Sequence, residues 1–270
     1  MNRDRQIYAL FGNPVGHSLS PLMHRAAYAA MNLPADYVAF CVTNLGAAVE
    51  GIRALNIRGV SVTIPFKTDV TPLLDELDES ARLIGAVNTI RNERGRLTGF
   101  NTDTAGLMQD IREVMTLSGK RVAILGAGGA ARSAAFGAVR EGARVHIINR
   151  TEEKGRQLAH EFGCSFETLS ELTRIEADIL INTTPVGMEP NRDQSPVPAD
   201  RLKRLSWVVD IIYNPFKTKL LRDAEAAGCN IRNGIGMFVH QGAEQIRLWT
   251  GRNPPTDVMR RAVLERLHHD

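Results

Sequence analysis

Short apolar runs alternate with amphipathic stretches along the whole chain, the pattern of a mainly parallel sheet with helices on its faces. Ile7 to Phe11 reads as a strand followed by a Gly/Pro loop. Ser20-Pro21 opens a helix that runs to about Met31, with Ser20 at the N-cap and proline at the first helical position. Asp36 to Phe40 and Gly59 to Ile64 are further strands, the second stopped by Pro65. The spacing predicts a helix from Asp69 to Ile84 and a strand from Ala86 to Arg91. Gly95 is a hairpin turn leading into a strand from Leu97 to Phe100.

Asp103 to Val114 reads as a helix leaving this first unit, and Leu117-Ser118-Gly119-Lys120 has linker composition. A new βαβ series starts with the strand Val122 to Leu125. It continues with strands at Val145 to Ile148, Ile179 to Asn182 and Trp207 to Ile212. Helices from Phe238 to Thr250 and from Asp257 to His268 are expected to pack back on the first domain, because the second is complete without them. The fold class is therefore α/β with two domains: residues 1–102 completed by 238–270, and residues 103–237.

Composition narrows the partners. At 270 residues the chain is long for one core and comfortable for two domains. The net charge of +3 is not gathered into a basic stripe with interleaved aromatics, so nucleic acid is not expected, whereas small anionic ligands suit it. The start, Met-Asn-Arg-Asp-Arg-Gln, lacks the apolar core of a signal peptide, and no apolar run reaches membrane-spanning length. Cys41, Cys164 and Cys229 are odd in number and far apart, without a Cys-x-x-Cys, and read as small apolar fillers. The seven histidines lack metal-ligand spacing. The expectation is a reduced, cytoplasmic, metal-free protein, a monomer or homodimer acting on a small molecule. His17 reads as structural.

The sharpest local signal is Gly126-Ala127-Gly128-Gly129-Ala130-Ala131, a G-x-G-x-x-A segment after a strand and before a helix. Gly126 allows the tight turn, Gly128 lets the backbone approach a pyrophosphate, and Ala131 lets helix and strand pack closely. N–H groups near Gly129 and Ala130 then face the phosphates. This makes the second domain a Rossmann-type dinucleotide-binding domain. The next strand ends Asn149-Arg150-Thr151, with Lys154 one turn on. An NAD enzyme usually has a carboxylate there for the ribose hydroxyl. A guanidinium beside a hydroxyl suits the 2′-phosphate of NADP instead. The bland alternative is a solvated helix start with a threonine cap.

Several segments together resemble the shikimate/quinate dehydrogenase family over essentially the whole chain: Gly12-Asn13-Pro14-Val15-Gly16-His17-Ser18-Leu19-Ser20-Pro21, Val62-Thr63-Ile64-Pro65-Phe66-Lys67, Gly85-Ala86-Val87-Asn88-Thr89, Gly99-Phe100-Asn101-Thr102-Asp103, the glycine loop, Asn149-Arg150-Thr151, Asn182 to Met188, and Gly234-Ile235-Gly236-Met237. The resemblance implies an N-terminal substrate domain, an NADP domain, and reversible NADPH-dependent reduction of 3-dehydroshikimate to shikimate. It implies that Ser18 and Ser20 hold the substrate carboxylate, with Tyr213 approaching it. It implies that Thr63, Asn88, Asp103 and Gln241 hold ring hydroxyls or the reacting oxygen, and that Lys67 and Asp103 form the acid/base pair. Backbone at Ile211 and Gly234 would border the nicotinamide, and a carboxylate in the position of Glu79 lies near the cofactor in similar enzymes. One departure stands out: many relatives carry Asn where this chain has Ser61, so a contact to a ring hydroxyl is shortened, water-bridged or lost.

Taken singly, these residues have plainer readings. Ser20 alone is a helix cap, Ser18 a turn residue, Lys67 a solvated charge and Asp103 another cap. Two hydroxyls at a positive helix end do suit a carboxylate, and Lys67 follows a strand at its carboxyl end, where open α/β sheets place ligands. Three rivals compete: a quinate-acting member of the same family, a non-catalytic NADP-binding regulator, and a dehydrogenase acting on a folate. The absent strand-tip carboxylate speaks against an NAD-preferring quinate enzyme. The presence of both Lys67 and Asp103 speaks against the regulator, and the two-serine site against the folate enzyme.

Overall fold

The fold is a computed structural model that describes residues 5–170 and 175–268. The first of its two units runs through Gly106 and resumes at Val239, and the second is Leu107–Phe238. The outermost residues of the first domain expected from sequence, 1–4 and 269–270, lie outside the described residues.

In the first unit β1 (Gln6–Gly12), β2 (Ala35–Cys41) and β3 (Gly59–Val62) are parallel. With β4 (Glu76–Leu77), β5 (Thr89–Glu93) and β6 (Arg96–Phe100) they form a six-stranded sheet of order β2-β1-β3-β5-β6-β4. β5 runs antiparallel to both neighbours. One face of the sheet, with Ala9, Phe11, Val60 and Val62, packs on Val49 and Ile52. Three helices belong to this part of the chain: α1 (Ser20–Ala30), α2 (Leu45–Ala54) and α3 (Glu79–Ile84). α2 was not foreseen from the sequence, although Leu45, Val49 and Ile52 recur at helical spacing and Asn44 caps it by accepting from the Ala47 N–H at 3.0 Å.

Two other expectations are corrected. Ser20 is the first residue of α1 rather than its cap; Leu19 holds the cap position and no side chain caps the helix. The stretch 69–84 is not one helix. A 3₁₀ turn at Thr71–Leu73 gives way to β4, and only α3 is helical. Asp75 accepts from the Leu97 N–H at 2.7 Å, which ties the segment to the sheet, and Asp78 starts α3 by accepting from the Ser80 N–H at 2.9 Å. The strand expected at Ala86 begins only at Thr89, because Ala86 to Asn88 form the connection and Val87 donates its N–H to the Lys67 carbonyl at 2.7 Å.

After α4 (Asp103–Arg112), the second unit alternates β7 (Arg121–Leu125), α5 (Gly129–Arg140), β8 (Arg144–Asn149), α6 (Glu152–Phe162), β9 (Ser165–Thr168), β10 (Ile179–Asn182), β11 (Trp207–Asp210), α7 (Lys219–Ala226) and β12 (Asn230–Arg232). All neighbouring strands are parallel, in the order β12-β11-β10-β7-β8-β9. The order reverses between β7 and β10, and this is the switch point where such sheets bind ligands. Ala131, Ala134, Ala135 and Ala138 give α5 a shallow face against Val122 and Ile124. On the other sheet face Leu220, Leu221 and Ala224 of α7 pack on Leu180 and Val208.

α8 (Ile235–Thr250) and α9 (Thr256–His268) end the chain. The Trp249 indole donates to the Ile90 carbonyl at 3.0 Å, and a Cβ on Gly59 would lie 2.3 Å from that indole, so glycine is what admits it. Arg252 reaches the Met31 carbonyl at 2.7 Å. The C-terminal part of the chain is thus tied to β5, β3 and the end of α1. Among the described residues no helix is long and apolar enough to cross a membrane.

Candidate active site

Strand direction gathers the first set of side chains. β1 and β3 end, β6 ends and antiparallel β5 begins on the same side of the first sheet, at the ends of its central strands. That side therefore carries the loop to Ser18 and Ser20, the segment Thr63 to Lys67, Asn88, and Asn101 to Asp103. The strand ends are close-packed: a Cβ on Gly12 would lie 2.3 Å from the Thr63 methyl. The Thr63 backbone N–H donates to the Phe11 carbonyl at 2.9 Å.

Lys67 Nζ donates to Asp103 Oδ2 in an ion pair whose side chains are only 15% and 5% exposed. Asn88 donates from Nδ2 to the other oxygen of Asp103 at 2.7 Å and to Thr102 Oγ1 at 2.9 Å. Asn88 Oδ1 accepts the Thr102 N–H at 2.7 Å and the Thr89 hydroxyl at 2.8 Å. Two charges taken this far from water are tolerable only when paired and hydrogen-bonded, and here both conditions are met. Asp103 does not act as a helix cap. Asn101 accepts the Thr104 N–H at 3.3 Å, which leaves the Asp103 carboxylate to Lys67 and Asn88. Thr89 and Thr102 complete the arrangement and were missed as site residues. Their positions beside Asn88 and Asp103 in two of the motifs were the available signal.

Ser18 Oγ accepts the Ser20 N–H and donates to Ser20 Oγ, both at 3.2 Å, so the two hydroxyls lie side by side at the start of α1. Gln241 lies half-buried on α8, and Glu79 is exposed at the start of α3. Ser61 is buried and committed inward: it accepts from the Tyr37 hydroxyl at 2.6 Å and donates to Gln245 Oε1 at 2.8 Å. His17 is exposed, contrary to a structural role, and Cys41 is exposed rather than an apolar filler; its thiol donates to Asn13 Oδ1 at 3.4 Å. Cys229 is buried, and burial pushes its thiol pKa up.

In the second unit the strand ends again form the site. Gly126 has φ +113°, and a Cβ there would meet Thr183 Oγ1 at 2.6 Å; Gly128, by contrast, faces open space. Gly128 caps α5, so the N–H groups of the first turn, from Gly129 and Ala130 on, lack partners within the helix. That is a cradle for a pyrophosphate. Beyond β8, Asn149 donates from Nδ2 to the Thr151 carbonyl at 2.8 Å and closes a turn that leaves Arg150, Thr151 and Lys154 exposed. Thr151 holds the cap position of α6 without bonding it, so its hydroxyl is not the cap allowed for in the plainer reading. The Ile211 carbonyl abuts Gly234, where a Cβ would lie 2.0 Å away, and Tyr213 stacks on Phe238 with ring centroids 4.1 Å apart. Further in, buried Asp210 accepts from Asn182, Ile212 N–H and Thr218.

Comparison with known proteins agrees along the chain. Residues 10–90 match the shikimate dehydrogenase substrate binding domain, residues 107–211 the shikimate / quinate 5-dehydrogenase family, and residues 234–264 the shikimate 5'-dehydrogenase C-terminal domain. A shikimate dehydrogenase (NADP(+)) of Geobacillus kaustophilus is 48% identical over 97% of this chain and 99% of its own length. A solved shikimate dehydrogenase in complex with NADP+ superposes with a TM-score of 0.92 at 40% identity, covering 99% of this chain and 97% of the other. The Thermus thermophilus enzyme, solved with NADP(H) and shikimate, gives 0.89 at 37% identity over 96% and 99% of the two chains.

Proposed function

The chain belongs to the shikimate dehydrogenase family, and we propose that the Lys67–Asp103 pair is the acid and base of its reaction, the NADPH-dependent reduction of 3-dehydroshikimate to shikimate by hydride transfer. The observation that carries this reading is the buried ion pair itself, with Asn88 on the free carboxylate oxygen.

NADPH supplies the hydride when bound. Its fit rests on the open space at Gly128, the free first-turn N–H groups of α5, and the exposed Arg150, Thr151 and Lys154, which would hold the 2′-phosphate. As the carbonyl carbon is reduced, negative charge grows on its oxygen. The Lys67 ammonium donates to that oxygen, stabilises the charge, and then gives it the proton from Nζ. Asp103 holds the ammonium in place and accepts from a ring hydroxyl. Ser18 and Ser20 would hold the substrate carboxylate, with Tyr213 approaching it, and Thr63, Asn88 and Gln241 would hold ring hydroxyls or the reacting oxygen, Asn88 by giving up its bond to Thr102 Oγ1. Backbone at Ile211 and Gly234 would border the nicotinamide.

This reading includes a cytoplasmic location, which the three free thiols support. The deciding experiment follows NADPH absorbance after 3-dehydroshikimate is added, with quinate and NAD in the reverse direction as comparison arms. Turnover of shikimate with NADP well above that of quinate is expected. Faster turnover of quinate would move the protein to the quinate-acting branch.

A further inference from the structure

The first unit holds a run of buried polar side chains that the roles above do not use. Tyr37 on β2, Ser61 on β3, Gln245 on α8 and Thr89 on β5 are all buried. The Tyr37 hydroxyl donates to Ser61 Oγ at 2.6 Å, and Ser61 donates to Gln245 Oε1 at 2.8 Å. Gln245 Nε2 donates to Thr89 Oγ1 at 3.1 Å and to the Asn88 carbonyl at 3.4 Å. Thr89 donates to Asn88 Oδ1 at 2.8 Å, and Asn88 Nδ2 donates to Asp103 at 2.7 Å.

The direction of this chain is set by groups that can only donate or only accept. The Thr102 backbone N–H must donate, so Asn88 turns Oδ1 toward it and its NH₂ toward Asp103. The Asn88 carbonyl must accept, so Gln245 presents Nε2 on that side and Oε1 to Ser61. Asn88 Oδ1 can only accept, so the proton between it and Thr89 Oγ1 belongs to the threonine, whose distance to Thr102 Oγ1 is longer, 3.3 Å. Every donor then points toward the Asp103 carboxylate, an arrangement in which successive hydrogen bonds polarise one another in the same sense.

We propose that Gln245 and Thr89 are positioning residues for the reaction, aiming the Asn88 amide at Asp103 and so holding the carboxylate that orients Lys67. Ser61 belongs to this relay, where it anchors Gln245, and not to the ring-hydroxyl contact that asparagine makes possible at this position. The proposal rests on the Lys67–Asp103 reading.

The test uses the full-length protein and five variants: Thr89→Val, which keeps the shape and loses the hydroxyl; Thr89→Ser, which keeps the hydroxyl; Gln245→Met, which keeps the length and loses the amide; the double variant Thr89→Val/Gln245→Met; and Lys67→Ala. Shikimate oxidation by NADP and thermal melts are measured for each. Thr89→Val and Gln245→Met should each lower kcat about tenfold, as expected for one lost oriented hydrogen bond. KM for NADP should be unchanged and KM for shikimate should rise less than kcat falls. Thr89→Ser should recover kcat to within about threefold of the unmodified protein. The two relay losses combined should cost little more than the worse one, because they act through one amide. A purely structural role would lower the melting temperature and leave kcat per folded molecule untouched; that result in either relay variant overturns the proposal, and if one fails to fold the other decides. If Lys67→Ala loses turnover while both relay variants keep theirs, the relay is wrong and the acid–base reading stands. If Lys67→Ala keeps its turnover, the acid–base reading fails and the relay falls with it.

Discussion

Lys67 and Asp103 form an ion pair with no third charged side chain bonded to either among the described residues, and Asn88 bonds the carboxylate oxygen that Lys67 leaves open. Loss of Lys67 should therefore act on chemistry and on stability together. Lys67→Ala should lower kcat by about 10²–10⁴ with a much smaller change in KM for shikimate, the signature of an interaction made mostly in the transition state. It also strands a buried carboxylate, so stability should fall by an amount on the order of 3 kcal/mol. Asp103→Ala should hurt both kcat and KM, and the double variant should be about as poor as the worse single one. Steady-state kinetics with a melt for each variant checks this. Near-normal kcat with only a raised KM would make Lys67 a binding residue.

The paired hydroxyls of Ser18 and Ser20 make a second prediction. Replacing both with alanine should raise KM for shikimate far more than KM for NADP, each lost bond to a carboxylate being worth roughly 1.5–3 kcal/mol. Ser20 does not cap α1, but the Ser18 hydroxyl accepts the first helical N–H, so the double variant should lose about 1 kcal/mol of stability and remain folded. An unchanged KM for shikimate would place the carboxylate elsewhere.

The alternation of strands and helices and the Gly126–Ala131 turn were legible in the sequence because backbone demands fix them locally: a left-handed φ at Gly126 and open space at Gly128 leave few alternatives. The stretch 69–84 was not legible, since its course is decided by Asp75 bonding a strand 22 residues away, and helical periodicity carries no trace of that. Lys67 and Asp103 stood out only as members of a set of motifs; singly, each had a commoner surface or capping role. The relay through Gln245 was invisible for the same reason. Gln245 and Thr89 lie 156 residues apart, and their pairing depends on how α8 returns to the first sheet. Ser61 was recognised as a departure, but where its hydroxyl points needed the fold.

Cofactor choice should turn on Arg150. Its side chain is exposed at the strand tip, beside a threonine hydroxyl that does not cap its helix. Arg150→Asp replaces a charge-assisted partner of the 2′-phosphate with a repelling carboxylate. The ratio of kcat/KM for NADP to that for NAD should collapse or reverse in the variant. Equal efficiency of the unmodified protein with both cofactors would refute the assignment.

Asp210 should make the second unit less stable as pH rises. Burial raises its pKa from 3.8 to about 6, against the opposing hydrogen bonds from Thr218, Ile212 and Asn182. A carboxyl raised on folding contributes stability that is complete below its unfolded value and is lost as pH climbs through the folded one, here between about 4 and 6, by roughly 3 kcal/mol. Asp210→Asn removes that titration, and the Thr218 hydroxyl can turn to accept from the new amide. The stability of the unmodified protein relative to the variant should fall across this window in denaturant titrations. A constant difference would mean that Asp210 does not titrate there.

His24 should do the reverse in the first unit. Burial lowers its pKa from 6.5 to about 4, and the Ser20 carbonyl and the Gln245 side chain oppose this only in part. The ring stacks on Tyr37 with centroids 4.1 Å apart; one nitrogen bonds the Ser20 carbonyl at 2.9 Å, and Nε2 has no hydrogen-bond partner. Acceptance by the carbonyl puts the proton on Nδ1, so a second proton would have to sit on the buried Nε2, which no well-formed hydrogen bond satisfies. A histidine with a depressed folded pKa contributes stability that is complete above its unfolded value and is lost as pH falls toward the folded one. The window is therefore about pH 6.5 down to 4, and the loss roughly 3 kcal/mol. His24→Phe keeps the ring stack and cannot take up a proton. It should match the unmodified protein near pH 7.5 to within about 1 kcal/mol, the value of one hydrogen bond, and should progressively exceed it in stability below pH 6. Denaturant titrations at pH 7.5, 6.0 and 5.0 on both proteins make the comparison. Parallel pH profiles would show that His24 does not charge in the unfolded chain at the expense of the fold, and would remove it as a source of acid sensitivity.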